Sequence, residues 1–159
     1  MKRPRRIRRL SRGEAALLVQ AFGAVLRVRA HLLRGKHHAL RRMIEAHALP
    51  FHSAPCEPPN ADLAEIAWSV RNAARLVPGA TCLTQASAGQ LLLARRGYAS
   101  TIRLSVPNKT DTPGRLAPHA WLMSGDTIVL GGTSADYARH RALHDFTLPS
   151  PSANHATTT

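Results

Sequence analysis

"LVPGATCLTQASAGQLL", residues 76–92, decides how the rest of the chain is read. Pro78-Gly79 makes a turn, Thr81 can cap a helix, and helical spacing runs from there to about Arg96, where Gly97 closes the helix. The face through Cys82, Ala86 and Gly89 is small-sided, as suits a helix packed closely on a sheet. One of only two cysteines thus stands at a helix start. Unpaired N–H groups and the helix dipole favour a thiolate there, and the thiolate is the attacking form. The other reading is a buried cysteine used as a small hydrophobe.

Upstream, Leu18, Ala21, Phe22, Val25, Val28 and Leu32 recur at three- and four-residue steps and predict a helix over about 13–34. A second helix is expected over about 37–48, before Pro50. "LPFHSAPCEPPN" reads as an extended connector, after which Asn60 or Asp62 can cap a third helix with Leu63, Ile66, Ala67, Val70 and Ala74 on one face. Downstream of Gly97 the period changes. "YASTIRLSV" alternates as a strand, and "APHAWLM", "SGD" and "TIVLGG" make a hairpin. Helices ahead of a small antiparallel sheet give an α+β class. The expected organisation is a basic helical region over 1–50, a Pro-rich connector over 51–59, a core over 60–146 and a disordered tail over 147–159.

The 159 residues suffice for one domain with a real core, and 44% apolar content is globular. Two cysteines at unrelated positions, Cys56 and Cys82, are no disulfide framework. The net charge of +13, much of it in "MKRPRRIRRLSR" and on to Arg42, draws acidic partners: nucleic acid, anionic lipid or an acidic peptide. A solvated basic arm is the plainer explanation. The apolar stretch "EAALLVQAFGAVL" holds Glu14 and Gln20, meets Arg27 and Arg29, and lacks a small-residue cleavage site. A cytoplasmic protein is expected, with peripheral association at the inner membrane left open.

A nucleophilic thiol needs a base from elsewhere in the fold. Of nine histidines, His119 in "APHAWLM" falls on a strand of the sheet against which helix 81–96 should pack. His31, His37, His38, His47 and His52 belong to the basic helical part, and His140, His144 and His155 to the C-terminal region. His47, His52 and Cys56 match no ligand spacing, so neither a metal nor any other cofactor is expected. Trp121 shares the strand face of His119 and should pack beside the imidazole. Gln85, one turn beyond Cys82, can line the site or face solvent.

Helix-start cysteine followed by strand histidine is the order found in papain-like and transglutaminase-like enzymes. "RLVPGATCLTQASAGQLLLARRGY", "APHAWLM" and "VLGG" together resemble the transglutaminase-like cysteine-protease component of lasso-peptide biosynthesis, over about residues 60–146. The resemblance implies an enzyme that cleaves the leader from a ribosomally made precursor peptide before a partner, an ATP-dependent lasso cyclase, closes the ring. It implies Cys82 as nucleophile and His119 as base and acid. Leader recognition would fall to a separate protein, because the residues ahead of the resemblance lack the strands of a recognition domain.

Family members can carry an aspartate across from the histidine. With a hairpin turning about Gly125 that place falls on Gly131, which has no side chain to offer. Asp136 folding back, Asp111 or a backbone carbonyl are the alternatives. Two other functions stay in view: a transglutaminase-like acyltransferase or inactive scaffold, and a basic nucleic-acid-binding protein. Nucleic acid is not the expected partner, since no aromatic-interleaved basic run or binding motif appears. Cys82 is expected to react with iodoacetamide faster than Cys56 at neutral pH; equal rates would contradict an activated thiol.

Overall fold

The computed structural model describes residues 10–48, 58–108 and 118–148. The connector up to Glu57 and the tail from Pro149 lie outside the described residues, as do His52, Cys56, Asp111 and His155.

Ser11 and Glu14 form a capping box that starts α1 (Arg12–Leu33). Its core face is Leu17, Ala21, Ala24, Val25 and Val28. Phe22, expected on that face, is exposed: the buried arc is rotated toward Ala21 and Ala24, whose small side chains let α1 lie against α3 and α4. α2 (His37–Ala48) buries Leu40 and Ile44. α3 (Asn60–Arg75) starts behind Pro59 with no side-chain cap, so neither Asn60 nor Asp62 caps it. Pro59 holds φ at −55°. The Asp62 carboxylate instead accepts hydrogen bonds from Tyr98 Oη at 2.9 Å and Arg96 Nη1 at 3.3 Å.

α4 (Cys82–Arg95) is the central element, with Leu91, Leu92 and Leu93 each nearly fully buried. Burying such side chains contributes roughly 1.5–3 kcal/mol apiece. α1, α2, α3 and the sheet all pack around it, and their apolar side chains join one core. Gly97, at φ +75°, ends the helix while Gly97 and Tyr98 donate back to Ala94 and Leu93. The chain then reverses into β1 (Ser100–Pro107).

β2 (His119–Ser124) and β3 (Thr127–Leu130) form the expected hairpin, followed by a short α5 (Ser134–Tyr137) and by β4 (His140–Leu148). The sheet is antiparallel in the order β3-β2-β1-β4. Neither α5 nor β4 is announced by the sequence, and β4 takes Thr147 and Leu148 from the expected tail. It is an edge strand whose residues 141–145 are all exposed, so no apolar alternation marks it. Arg103 and Asp145 face each other across β1 and β4 in a two-pronged ion pair at 2.8 and 2.6 Å. Hydrogen bonds from Arg103 hold the Asp145 carboxyl below its ordinary range. The pair therefore stabilises the fold above that range and ceases to do so as pH falls through the lowered value. Its partial exposure limits it to about 1 kcal/mol or less.

α4 approaches the sheet closely at Gly89. A methyl group there would sit 2.5 Å from Leu122 Cδ2 and 2.9 Å from Leu130 Cδ1. An alanine can be met by small movements of those leucines, but a branched side chain cannot. Gly89→Val is expected to lower unfolding free energy by about 1–3 kcal/mol, read as an earlier midpoint in urea; an unchanged midpoint would refute the close packing.

Candidate active site

The chain direction sets the site. α4 runs into β1 through a tight reversal, and β2 is antiparallel to β1, so β2 runs the same way as α4. The first residue of α4, Cys82, and the first of β2, His119, therefore lie at the same end of the helix–sheet layer. Spacing agrees with direction. Cys82 precedes Gly89 by seven residues on one helix face, roughly 10 Å along the axis. His119 precedes Leu122, the residue under Gly89, by three residues, again roughly 10 Å.

Thr81 and Thr84 build the N-terminus of α4 as a reciprocal cap. Thr84 N–H donates to Thr81 Oγ1 and Thr81 N–H to Thr84 Oγ1, both at 3.3 Å. Gln85 N–H goes to the Thr81 carbonyl. The N–H groups of Cys82 and Leu83 are left without a hydrogen-bond partner among the described residues, directed as helix starts direct them toward the approaching solvent or ligand. The thiol itself is free and half-buried. Arg29 of α1 adds a cation that sequence reasoning missed: a methyl on Gly79 would sit 2.5 Å from Arg29 Nη2. The guanidinium thus rests on the turn that leads to Cys82, and Gly79, at φ +71°, both makes the turn and leaves it room.

His119 Nε2 is 2.7 Å from the Gly131 carbonyl oxygen. A carbonyl only accepts, so Nε2 carries the proton and Nδ1 is the free, basic nitrogen. Trp121 stands edge-on to the ring at 4.6 Å between centroids, in the place expected for it. It is 1% exposed and anchored by Nε1–H donation to Ser105 Oγ at 2.7 Å. Tyr137 and His140 complete an aromatic cluster on this face, 5.2 and 5.4 Å from Trp121. His140 Nδ1 donates to the Asp136 carbonyl, and its ring lies 5.8 Å from that of His119.

Gly131 explains its own identity. The turn lies at Gly125-Asp126, so pairing starts at Ser124↔Thr127, and a bulge at Val129 then shifts it to Leu122↔Leu130; the two steps together put Gly131 beside Trp121 rather than across from His119. There a Cβ would lie 2.6 Å from Trp121 Cε3 and 3.1 Å from its Cα, at φ +124°. No side chain fits, and the carbonyl of the same residue turns onto the imidazole. Of the three alternatives for orienting the histidine, the structure puts this carbonyl on the ring. The Asp136 carboxylate is taken up elsewhere: it accepts from Thr133 N–H and Oγ1 at 3.1 and 2.7 Å and pairs with Arg139. The Thr133 bonds first, and Arg139 after them, lower the Asp136 pKa to about 2. Gln85 is half-buried, one turn along α4 from Cys82.

No hydrogen bond joins the thiol to the ring among the described residues, and strand alternation sets the His119 side chain with Trp121 on the sheet face opposite Leu122 and α4, so the pairing rests on the shared end of the layer alone. Such bonds commonly tighten only once substrate is bound. Beside Cys82 along α4, Leu83 and Ser87 line an open apolar pocket of about 380 Å³ together with α2, Ile102, Leu104 and Phe146. Among the described residues no group of three or more His, Cys, Asp or Glu could hold a metal ion.

Helix-start thiol and strand-start imidazole, held at one end of a helix packed on an antiparallel sheet, define an α+β thiol–imidazole domain. The sequence profile of the Transglutaminase-like superfamily matches residues 24–144, most of the chain, and the protein belongs to that superfamily. The superfamily includes cysteine peptidases and acyltransferases. No curated protein and no solved structure shows significant similarity to the chain. Because the ring is held by a backbone carbonyl, Asp136→Asn is expected to keep turnover within about threefold of wild type, whereas loss of an orienting acid costs orders of magnitude. A thousandfold fall in kcat with the fold intact would place Asp136 in the machinery.

Proposed function

We propose that the protein is a cysteine peptidase that removes the leader from a ribosomally made lasso-peptide precursor. The observation that carries this reading is the Nε2-bonded imidazole at the same end of the layer as a helix-start thiol whose first two backbone N–H groups have no partner among the described residues. The motif around Cys82 and the "HAW" at 119–121 supply the choice of substrate.

In the proposed reaction His119 Nδ1 takes the Cys82 proton and the thiolate attacks the scissile carbonyl. The oxyanion is met by the N–H groups of Cys82 and Leu83. Its collapse breaks the C–N bond, and the imidazolium protonates the departing amine of the core peptide. The leader is then a thioester on Cys82. Water, losing a proton to the same imidazole, attacks that thioester and releases the leader as a carboxylic acid, restoring the thiol. No cofactor enters any step. The freed amine goes to an ATP-dependent lasso cyclase, and a separate leader-recognition protein delivers the precursor. The reaction takes place in the cytoplasm, where the precursor is made.

An acyltransferase differs only in the last step, with an amine in place of water, and the superfamily contains both kinds. Mass spectrometry of a candidate precursor, incubated with the recognition protein, separates the readings. Wild type is expected to yield free leader with a carboxyl end and free core peptide. Cys82→Ala and His119→Ala should each lower the rate by at least about a thousandfold. Cleavage by Cys82→Ala at the wild-type rate would refute the mechanism, and leader found joined to added amine would make the protein an acyltransferase.

A further inference from the structure

α1 has two apolar faces, and only one of them is used by the core. Leu17, Ala21, Ala24, Val25 and Val28 pack inward. Val19, Phe22, Leu26 and Leu33 form a second stripe, exposed by 72, 36, 44 and 67%. Their steps of three, four and seven residues keep them within a narrow arc of the helix. The helix is long and apolar enough by composition to cross a membrane, yet its inward face is built into the core and 28% of its most apolar window is buried. Arg12, Arg27 and Arg34 are exposed along one flank of the stripe. Six of the first nine residues, directly ahead of α1, are Lys or Arg.

We propose that this outer face of α1 docks the protein on an anionic bilayer, lying in the plane of the headgroups. Val19, Phe22, Leu26 and Leu33 enter the boundary between headgroups and acyl chains, while the flanking arginines reach lipid phosphates. Charge selects this occupant. A second copy would bring two arginine-flanked stripes and two net charges of +13 together. An uncharged apolar partner would leave the arginines without counter-charge. An anionic surface meets both features, and exposed arginines flanking an apolar stripe supply the two signals that stable surface binding requires. The proposal does not rest on the peptidase reading.

The test is co-sedimentation of the full chain with phosphatidylcholine vesicles containing about a third phosphatidylglycerol. Wild type is expected to pellet with these vesicles, to stay in solution with pure phosphatidylcholine, and to be released by added salt. A Val19→Ser, Leu26→Ser variant, altered only at exposed positions and checked for an unchanged thermal midpoint, should bind at least roughly tenfold more weakly. Equal binding of variant and wild type, equal binding to neutral vesicles, or no binding to either would overturn the proposal. So would a wild-type dimer in sedimentation velocity that the same variant dissociates, since the stripe would then belong to a second copy.

Discussion

The contact of α4 with β2 and β3 at Gly89 is what the rest of the structure depends on. With hydrogen in place of a side chain, the helix lies on Leu122 and Leu130 at a distance that even a methyl group would reduce to 2.5 Å. That depth, with Leu91, Leu92 and Leu93 buried behind it, fixes where the first turn of the helix ends up. The same strand that carries Leu122 begins at His119, and the two elements run in one direction. The helix start that carries Cys82 and the strand start that carries His119, some forty residues apart in sequence, thus come to one end of the layer, with the imidazole on the sheet face away from α4, through a packing constraint that involves neither residue.

A second constraint holds the imidazole. Trp121 fills the space above Gly131 so fully that only glycine fits, and the left-handed backbone at Gly131 and Gly132 turns a carbonyl onto His119 Nε2. Where a carboxylate would both orient the ring and compensate its charge, a neutral carbonyl supplies orientation and tautomer choice alone. The imidazolium that forms in any thiol chemistry here receives a dipole in place of a full negative charge. Among the described residues the nearby carboxylates do not make up the difference: Asp136 serves Thr133 and Arg139, and Asp145 serves Arg103.

Much of this was legible in the sequence. The run from Pro78 to Gly97 carries its own turn, cap, small face and stop, and the structure places α4 within a residue of those marks. Trp121 could be placed beside His119 by strand alternation alone. What escaped reading depended on contacts distant in sequence. The two-residue turn at Gly125-Asp126 and the extra residue at Val129 each moved Gly131 by one register step, and nothing local marks a bulge there. β4 has exposed residues through 141–145 and is a strand because β1 offers it hydrogen bonds. Phe22 looked like core because its spacing fits, but burial centres on Leu17, Ala21, Ala24 and Val28 and leaves Phe22 at the outer edge of that face. The role of Arg29 on the Pro78-Gly79 turn requires two helices to be placed before it exists at all.

The central claim is that a backbone carbonyl, and no carboxylate among the described residues, holds His119 Nε2 and leaves Nδ1 as the basic nitrogen. Long-range proton–nitrogen correlation spectra of the His119 ring in selectively labelled protein, recorded where the ring is neutral, report which nitrogen carries the proton. The account predicts the Nε2–H tautomer, unchanged in Asp136→Asn. A ring protonated at Nδ1, or one whose tautomer changes in Asp136→Asn, would contradict it.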